Sequence, residues 1–556
     1  MSERYGKGSA ERVGSLWVLH LKGTSFERGL QHGTLMRYRA RDTINFYRTL
    51  PYTLALRLVP AGSFKMTAMK KLKNTLVRRL VKNRDPDGLE EIRGLAVGLG
   101  LKTEDLAEVL VLSDIIQVAG AMAERRRKGG PPVLPGYGCT SAVRKTPPDN
   151  LIFGRNFDFW GAGYWDANPV VIFHHPDKGK AFCSIGTAGL PTGGVTSVNE
   201  DGLAVALHQH SSRDSSSRGT PIIDIVHKII RSASTVEEAL QVAGDHRATG
   251  GWSLVIAGGS PPQAAVLEMS SARQRARWLE DSSLTASNCF LDEELHAREI
   301  QANLSSTISD HLRFRRASEL AASPRMRPAR MAGLLGDHYD ILAGRQRSAG
   351  FSISRITTLS SVVFCLPDKR FWVSEAGAPS SKGGYVGFDL DKELGGKRST
   401  TERIEGGKPP ALKITAAQDR YLDAYKEYFG SGDLNRILMI LGECASLDPS
   451  ESTFPLVEGI VRGMVGNYRG ALSSVNRSLE LENVALKKTV TMLWKARVLD
   501  LFDRREQSLK IYEELSGNPD NPHIIVESAG SGLRKPFNEK DLSGLMLDFT
   551  NGEAIE

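Results

Sequence analysis

Long hydrophobic runs are missing from this chain, and so are most of the short signatures that place an enzyme at sight. No apolar segment approaches the roughly 20 residues that span a bilayer. The N-terminal MSERYGKGSAERVGSLWVLHL has charges where a signal peptide needs its apolar stretch, so cytoplasmic residence is expected. There is no P-loop, HExxH or GxSxG, which argues against an ATPase, a zinc protease and an α/β-hydrolase. Cysteine is scarce: Cys139, Cys183, Cys289, Cys365 and Cys444 lie dozens of residues apart without a CxxC, which fits neither a disulfide framework nor a zinc cluster. Aromatics, at 7%, are not interleaved with basic residues and no reader motif is present, so nucleic acid is not an expected partner.

What is present is a globular composition. With 556 residues, 40% hydrophobic and 24% charged, the chain can bury more than one core and divides into two or three domains. The net charge of +8 is regional: residues 1–84 hold 18 Lys and Arg against 4 Asp and Glu, a net of +14, leaving −6 for the remainder. Within that region SFKMTAMKKLKNTLVRRLVKNR places Met69, Leu72, Leu76 and Leu80 on one helical face, with Ser63 as N-cap and cations opposite. Such a helix ordinarily packs its apolar face on its own domain. Its basic face would also suit anionic headgroups at a membrane surface, or the phosphates of acyl-coenzyme A.

Residues 1 to about 124 read as mainly helical after a strand at 16–21, closing with two helices joined at Gly100. The segment ERRRKGGPPVLPGYG, 124–138, holds four glycines and three prolines and reads as an exposed connector ending at Cys139. From there to about Leu390 short β-rich runs dominate: CTSAVRK, NLIFGRNFDF, NPVVIFHH, GLAVALHQH, WSLVIAGG, AAVLEM, TTLSSVVFCL and RFWVSEA. Two helices interrupt them, one opened by the capping-box pattern Ser234-Thr235-Val236-Glu237 and one containing SDHLRFRRASELAAS. Residues 394–411 read as a linker. Beyond it Gly432-Asp433-Leu434 recurs as Gly466-Asn467-Tyr468, 34 residues on, which is the period of tetratricopeptide helix pairs. Residues 412–525 therefore resemble a degenerate tetratricopeptide array, a fold that commonly docks a protein partner, with 526–556 as a tail.

Cys139 stands where a Gly-rich connector enters a strand, an unusual place for a cysteine that only fills a core. If Cys139 opens one strand and residues 153–159 run along its hairpin partner, Arg155 and Asp158 return near the sulfur, supplying a cation and a carboxylate. Such a thiol also needs a base.

At these residues the chain resembles the penicillin acyltransferase-like (isopenicillin N acyltransferase) family of autoproteolytic N-terminal nucleophile hydrolases, relatives of choloylglycine hydrolase. The likeness spans roughly residues 16–390. It is carried by Gly138-Cys139-Thr140-Ser141 followed by Gly154-Arg155-Asn156-Phe157-Asp158, with Cys-to-Arg and Cys-to-Asp separations of 16 and 19. Gly23 through Gly33, Glu91 through Ala96, Asn199 through Val205, Thr285 through Phe290 and Ile353 through Ser361 resemble further signatures of that family.

The resemblance implies an α+β chain: a four-layer αββα N-terminal nucleophile hydrolase sandwich, followed by the all-α repeat region. It implies cleavage between Gly138 and Cys139, with residues 1–138 retained beside a catalytic segment of 139–393. The free α-amine of Cys139, with an ordinary pKa near 7.7 to 8, would then serve as base for its own thiol. Asp158 would hold that amine, Arg155 and Arg355 would orient the site, and Asn288 would donate to the oxyanion. Gln209 stands where choloylglycine hydrolases have a second amide donor, so bile-salt specificity does not carry over; His208 and His210 flank it as ordinary strand histidines. The expected activity is hydrolysis of a small linear acyl-amide, with acyl transfer from acyl-coenzyme A to an amine as the alternative, and a non-catalytic interaction protein as the second alternative. The mechanism calls for no metal or organic cofactor.

Overall fold

The computed structural model describes residues 2–58, 63–126, 138–190, 195–258, 261–300, 303–399 and 401–555. Two sheets are stacked at its centre. The larger has ten strands in the order Ser2–Tyr5, Gly8–Val13, Leu16–Gly23, Pro169–Pro176, Phe182–Thr187, Thr196–Asn199, Ala204–Gln209, Trp252–Gly258, Gln263–Met269 and Gln274–Trp278. The smaller has seven: Ser283–Ala286, Thr140–Thr146, Asn150–Asp158, Thr358–Cys365, Arg370–Ser374, Tyr385–Asp389 and Thr401–Ile404. Neighbours are antiparallel except Leu16–Gly23 and Pro169–Pro176, which run parallel.

The two-residue period of the strands builds the layers. Val143, Leu151, Phe153 and Phe364 face inward and meet Val18, Phe173, Val198 and Val255 of the other sheet in one apolar core. The alternate residues Ala142, Ile152 and Val363 face outward, under the helices Leu304–Ala321 and Pro328–Leu335. On the far side Val205, Leu254 and Ile256 lie under the helices Ile222–Ser232 and Val236–Gly244. The result is the expected four-layer αββα sandwich.

The helices Ser25–Met36 and Pro86–Leu99 also cover the ten-stranded sheet, and they explain two of the glycine-bearing motifs. A Cβ on Gly29 would lie 2.0 Å from the Glu91 carbonyl oxygen, and one on Gly94 2.0 Å from that of Phe26. Gly33 and Gly98 meet in the same way one turn on. These motifs let two backbones touch, with buried Arg28 beside Glu91 at 3.6 Å across the seam. Gly100 ends the second helix in the left-handed conformation, φ 74°, as the sequence predicts.

Several elements differ from expectation. Two strands precede Leu16, built from polar sequence that lacks an alternating apolar pattern. Thr235, rather than Ser234, caps its helix by accepting from the Glu238 amide at 3.2 Å, while the Glu238 carboxylate accepts from the Ser234 amide at 2.6 Å. The segment 394–411 is not all connector: Thr401–Ile404 forms the edge strand of the smaller sheet, and the Trp372 indole donates to the Glu402 carbonyl at 2.7 Å. In the basic helix, Ser63–Lys82, Leu76 and Leu80 are buried against Val111, Ile115 and Val118 while Leu72 is exposed; the side chains of Ser63 and Met69 lie outside the described residues, as do residues 127–137 of the connector. No single helix among the described residues is long and apolar enough to cross a membrane.

Beyond residue 411 seven longer helices, Leu412–Phe429, Leu434–Leu447, Thr453–Met464, Tyr468–Leu481, Ala485–Leu501, Arg505–Gly517 and His523–Arg534, pack each against its successor in the chain. The two turns read 34 residues apart have one local structure: Gly432 and Gly466 are left-handed, φ 71° and 76°, and Asp433 and Asn467 cap the helices that follow. Residues 526–556 hold the end of the seventh helix, a short helix Glu539–Ser543 and a hairpin of Met546–Asp548 with Glu553–Ile555.

The helical region is fastened to the sandwich. Tyr421, Tyr425 and Phe454 join Tyr47, Trp160 and Trp165 in one core, and the Tyr425 hydroxyl accepts from the Gly161 amide at 3.1 Å. Arg347, fully buried, is ion-paired to Glu451 and, at 3.3 Å, to Glu482. Ser348 donates to Asp448 at 2.7 Å.

Candidate active site

Cys139 sits at the mouth of the hairpin formed by Thr140–Thr146 and Asn150–Asp158, where Thr140 pairs with Asn156 and Ser141 with Arg155. That register returns Asp158 to the cysteine: the thiol lies 3.9 Å from the Asp158 carbonyl oxygen. Cys139 is buried and its amide donates to Asn288 Oδ1. Asn288 also donates through Nδ2 to the Gln209 carbonyl at 2.7 Å, which commits one of its two amide N–H groups. Asn288 therefore holds the Cys139 backbone in place. The Gln209 side chain turns toward the Ser113 carbonyl, 3.5 Å away, on the wall of the cavity that Cys139 opens into.

The Asp158 carboxylate is buried, and neither oxygen meets a donor at full hydrogen-bond geometry among the described residues, with the Thr358 hydroxyl the neighbouring donor that acts on it. Burial pushes it up to about 6, against the charges of Arg313 and Arg355, the Thr358 hydroxyl and the charge of Arg155. It is thus a buried carboxylate with spare acceptor capacity on the wall of the cavity that Cys139 also lines.

Arg155 and Arg355 do different things. Arg155, buried, donates to the carbonyls of Asn156 at 2.7 Å and Leu207 at 2.5 Å, so it ties the smaller sheet to the larger one. Arg355 lies against Gly138: a Cβ there would fall 2.1 Å from its Nη1. Its Nη2 donates to Asn551 Oδ1 at 2.6 Å.

Arg313 was not singled out in the sequence. Fully buried, it donates to the Cys139 carbonyl, to Thr140 Oγ1 at 2.9 Å and to Asn288 Oδ1 at 3.3 Å, and is ion-paired to Asp310. The available signal was an Asp–Arg pair three residues apart on the helix SDHLRFRR, with Arg313 next to the apolar Leu312. His208, by contrast, is a buried partner of Ser141 Oγ at 2.8 Å, held well below its ordinary range by burial and by the Arg155 charge. Burial raises the other four thiols, Cys365 to about 11 and Cys289 and Cys444 to about 12, and leaves them inert as nucleophiles.

The cavity holds about 90 Å³ and is walled by apolar side chains, among them Tyr47, Leu110, Phe159, Trp165, Val195 and Trp252. Cys139, Asp158 and Gln209 form its polar side. One further carboxylate reaches it: Asp114 accepts from the Ile222 amide at 3.4 Å and from the Thr249 hydroxyl through one oxygen, while the other has no partner among the described residues. Burial pushes Asp114 up to about 7. No group of three or more His, Cys, Asp or Glu is placed to hold a metal among the described residues.

Parts of the chain are similar to known proteins. Residues 145–379 match the model of the acyl-coenzyme A:6-aminopenicillanic acid acyl-transferase family. The matched span includes Arg155, Asp158, Gln209, Asn288 and Arg355 and begins six residues after Cys139. An uncharacterized protein of Archaeoglobus fulgidus is 21% identical over 281 residues, 48% of this chain and 45% of that one, so the chain spans less than half the length of that relative. Among solved structures, the Caenorhabditis elegans ortholog of N-acylethanolamine-hydrolyzing acid amidase aligns with 13% identity and a TM-score of 0.29, over 41% of this chain and 92% of that one.

Proposed function

We propose that this chain is an N-terminal nucleophile enzyme that matures by cleaving its own Gly138–Cys139 bond and then acts on a small acyl-amide through Cys139. The observation that supports the reading is the buried Asp158 carboxylate, with acceptor capacity to spare, in the same cavity as a cysteine whose carbonyl and amide are both clamped, by Arg313 and Asn288.

In maturation, the Cys139 sulfur attacks the Gly138 carbonyl carbon. The S–C bond forms, the C–N bond breaks, and the Cys139 nitrogen takes the proton. Water then hydrolyses the thioester, leaving a Gly138 carboxylate and a Cys139 with free thiol and α-amine. The amine, held by Asp158, sits near the pKa range in which it exchanges protons with the thiol at neutral pH. In turnover the thiolate attacks the substrate carbonyl, the amine leaves with a proton, and water resolves the acyl-enzyme.

Residues 1–138 and 139–393 remain together in this reading, because the sheets they form are one core. The apolar cavity favours an aliphatic or aromatic acyl group. The matched family's name supports a second resolution, in which an acceptor amine replaces water and acyl-coenzyme A is the donor. Labelled acyl-coenzyme A offered with candidate amines separates the two. The helical region is proposed as a place for a protein partner.

Intact mass spectrometry of the wild type beside Cys139→Ala tests the reading. Cleavage yields fragments of 138 and 418 residues (556 minus 138) in the wild type and one chain in the variant. A wild type that stays one chain when folded and reduced overturns it.

A further inference from the structure

Arg355 touches the junction on one side and the C-terminal hairpin on the other. Its Nη1 lies against Gly138, while its Nη2 donates to Asn551, 196 residues further along the chain. Asn551 is buried and fixed from every side. Its Nδ2 donates to Ser306 Oγ and to Asp548 Oδ2, both at 2.7 Å, and its amide donates to Asp548 Oδ1 at 3.2 Å. The hairpin is moored by two more contacts with the start of the helix Leu304–Ala321: Asn303 Nδ2 donates to Asp548 Oδ2 at 3.0 Å, and Ser305 Oγ to Glu553 Oε2 at 2.7 Å. That same helix carries Arg313, which clamps the Cys139 carbonyl. The hairpin turn is therefore built into the framework that holds both sides of the Gly138–Cys139 bond.

The chemistry of the partner matters. Arg355 is buried beside Arg313, and burial together with that like charge disfavours its charged form, against the carboxylates of Asp158, Asp310 and Asp548, which favour it. An amide oxygen fixes the guanidinium by a hydrogen bond without adding a further negative charge to those three, and so holds Nη1 against Gly138, where negative charge would develop in cleavage. A carboxylate in the same place would add that further charge.

We propose that Asn551 is a positioning residue for Arg355, so that the C-terminal hairpin, far outside the family-matched span, completes the maturation site and self-cleavage waits on its docking. The role rests on the reading that Gly138–Cys139 is cleaved.

The test uses the full chain and reads two quantities. The first is the half-time of precursor cleavage by intact mass. Asn551→Ala is expected to lengthen it between about tenfold and the roughly hundredfold that an ångström's misplacement can cost, and Asn551→Asp to lengthen it as well. Arg355→Ala with Asn551→Ala should be no slower than Arg355→Ala alone. Glu553→Gln, which alters a mooring that does not touch Arg355, should cleave within about twofold of wild type. The second quantity is the thermal midpoint of the same single and double variants in an uncleavable Cys139→Ala background, where coupling makes the double shift smaller than the sum of the two. Additive shifts, or an Asn551→Ala precursor that cleaves at the wild-type rate, overturn the role while leaving cleavage standing. A wild type that never cleaves overturns the maturation reading and this role together, even when the midpoints show the contact.

Discussion

The seam between the two sheets and the polar part of the seam between sandwich and helical region are made of different materials. Sheet meets sheet mainly through Val143, Phe153, Phe364, Phe173 and Val255, an apolar seam crossed by the buried Arg155 guanidinium at its Cys139 end. Where the sandwich meets the helical region at residues 303–306 and 347–355, buried ions and amides do much of the joining: Arg347 with Glu451 and Glu482, Ser348 with Asp448, Asn303 with Asp548, Arg355 with Asn551. An apolar seam adheres strongly and tolerates small shifts. A buried polar seam contributes less net adhesion and penalises every misalignment, because a displaced charge is left unpaired. The second kind is what a contact at Arg355 requires, since the tip of a hairpin is useful there only in one position.

The largest expected effect comes from breaking the polar seam. Arg347→Ala strands Glu451 and Glu482 and should cost about 3 to 5 kcal/mol at pH 7, read as a lowered thermal midpoint. Arg347 holds the Glu451 carboxyl down to about 2. A carboxyl whose folded pKa is lowered contributes stability above its unfolded value and loses it as pH falls, so the gap between wild type and variant should close between about pH 4.5 and 2. Next in size is the contrast between conservative changes. Arg347→Lys keeps the charge but not the fork that reaches two carboxylates, and should still cost about 2 kcal/mol. Leu151→Met, a volume-conserving change in the apolar seam, should cost under about 1.5 kcal/mol. Equal losses for the two would erase the comparison.

The sandwich was legible because its strands advertise themselves. NLIFGRNFDF and TTLSSVVFCL alternate or run apolar, and the Cys139, Arg155 and Asp158 spacing fixes one hairpin register that the strand pairing reproduces. Strands of polar sequence, such as Gly8–Val13 and Thr401–Ile404, give no such pattern although each pairs with a strand adjacent in the chain, because the ladder is a backbone contact that their side chains do not announce. The site shows the same division. Residues that lie near Cys139 in sequence or in a motif were visible. Arg313 and Asn551 were not, because an arginine on a charged helix and an asparagine in a Gly-bearing turn look like surface residues until the fold buries them. Asn288 carries a related lesson: its position followed from its motif, but its hydrogen bonds, to the Cys139 amide and the Gln209 carbonyl, depend on what else arrives beside it.

Asp114 is the carboxylate that breaks the pattern of the apolar cavity, and it gives the finest test of how dry that region is. In the folded chain burial raises it to about 7, while in the unfolded chain it titrates near 3.8. The unfolded state therefore releases this proton first as pH rises, and folding stability falls between about pH 4 and 7, by at most about 4 kcal/mol from this group. Asp114→Asn keeps an oxygen for the Thr249 hydroxyl and the Ile222 amide and removes the titration, at the expense of an amide nitrogen without a partner. The variant should unfold a few degrees above wild type at pH 8 and at or below it at pH 4, measured by thermal unfolding across that range. A gap that stays constant with pH would mean that water reaches Asp114 freely, and that this end of the cavity is wetter than its apolar walls imply.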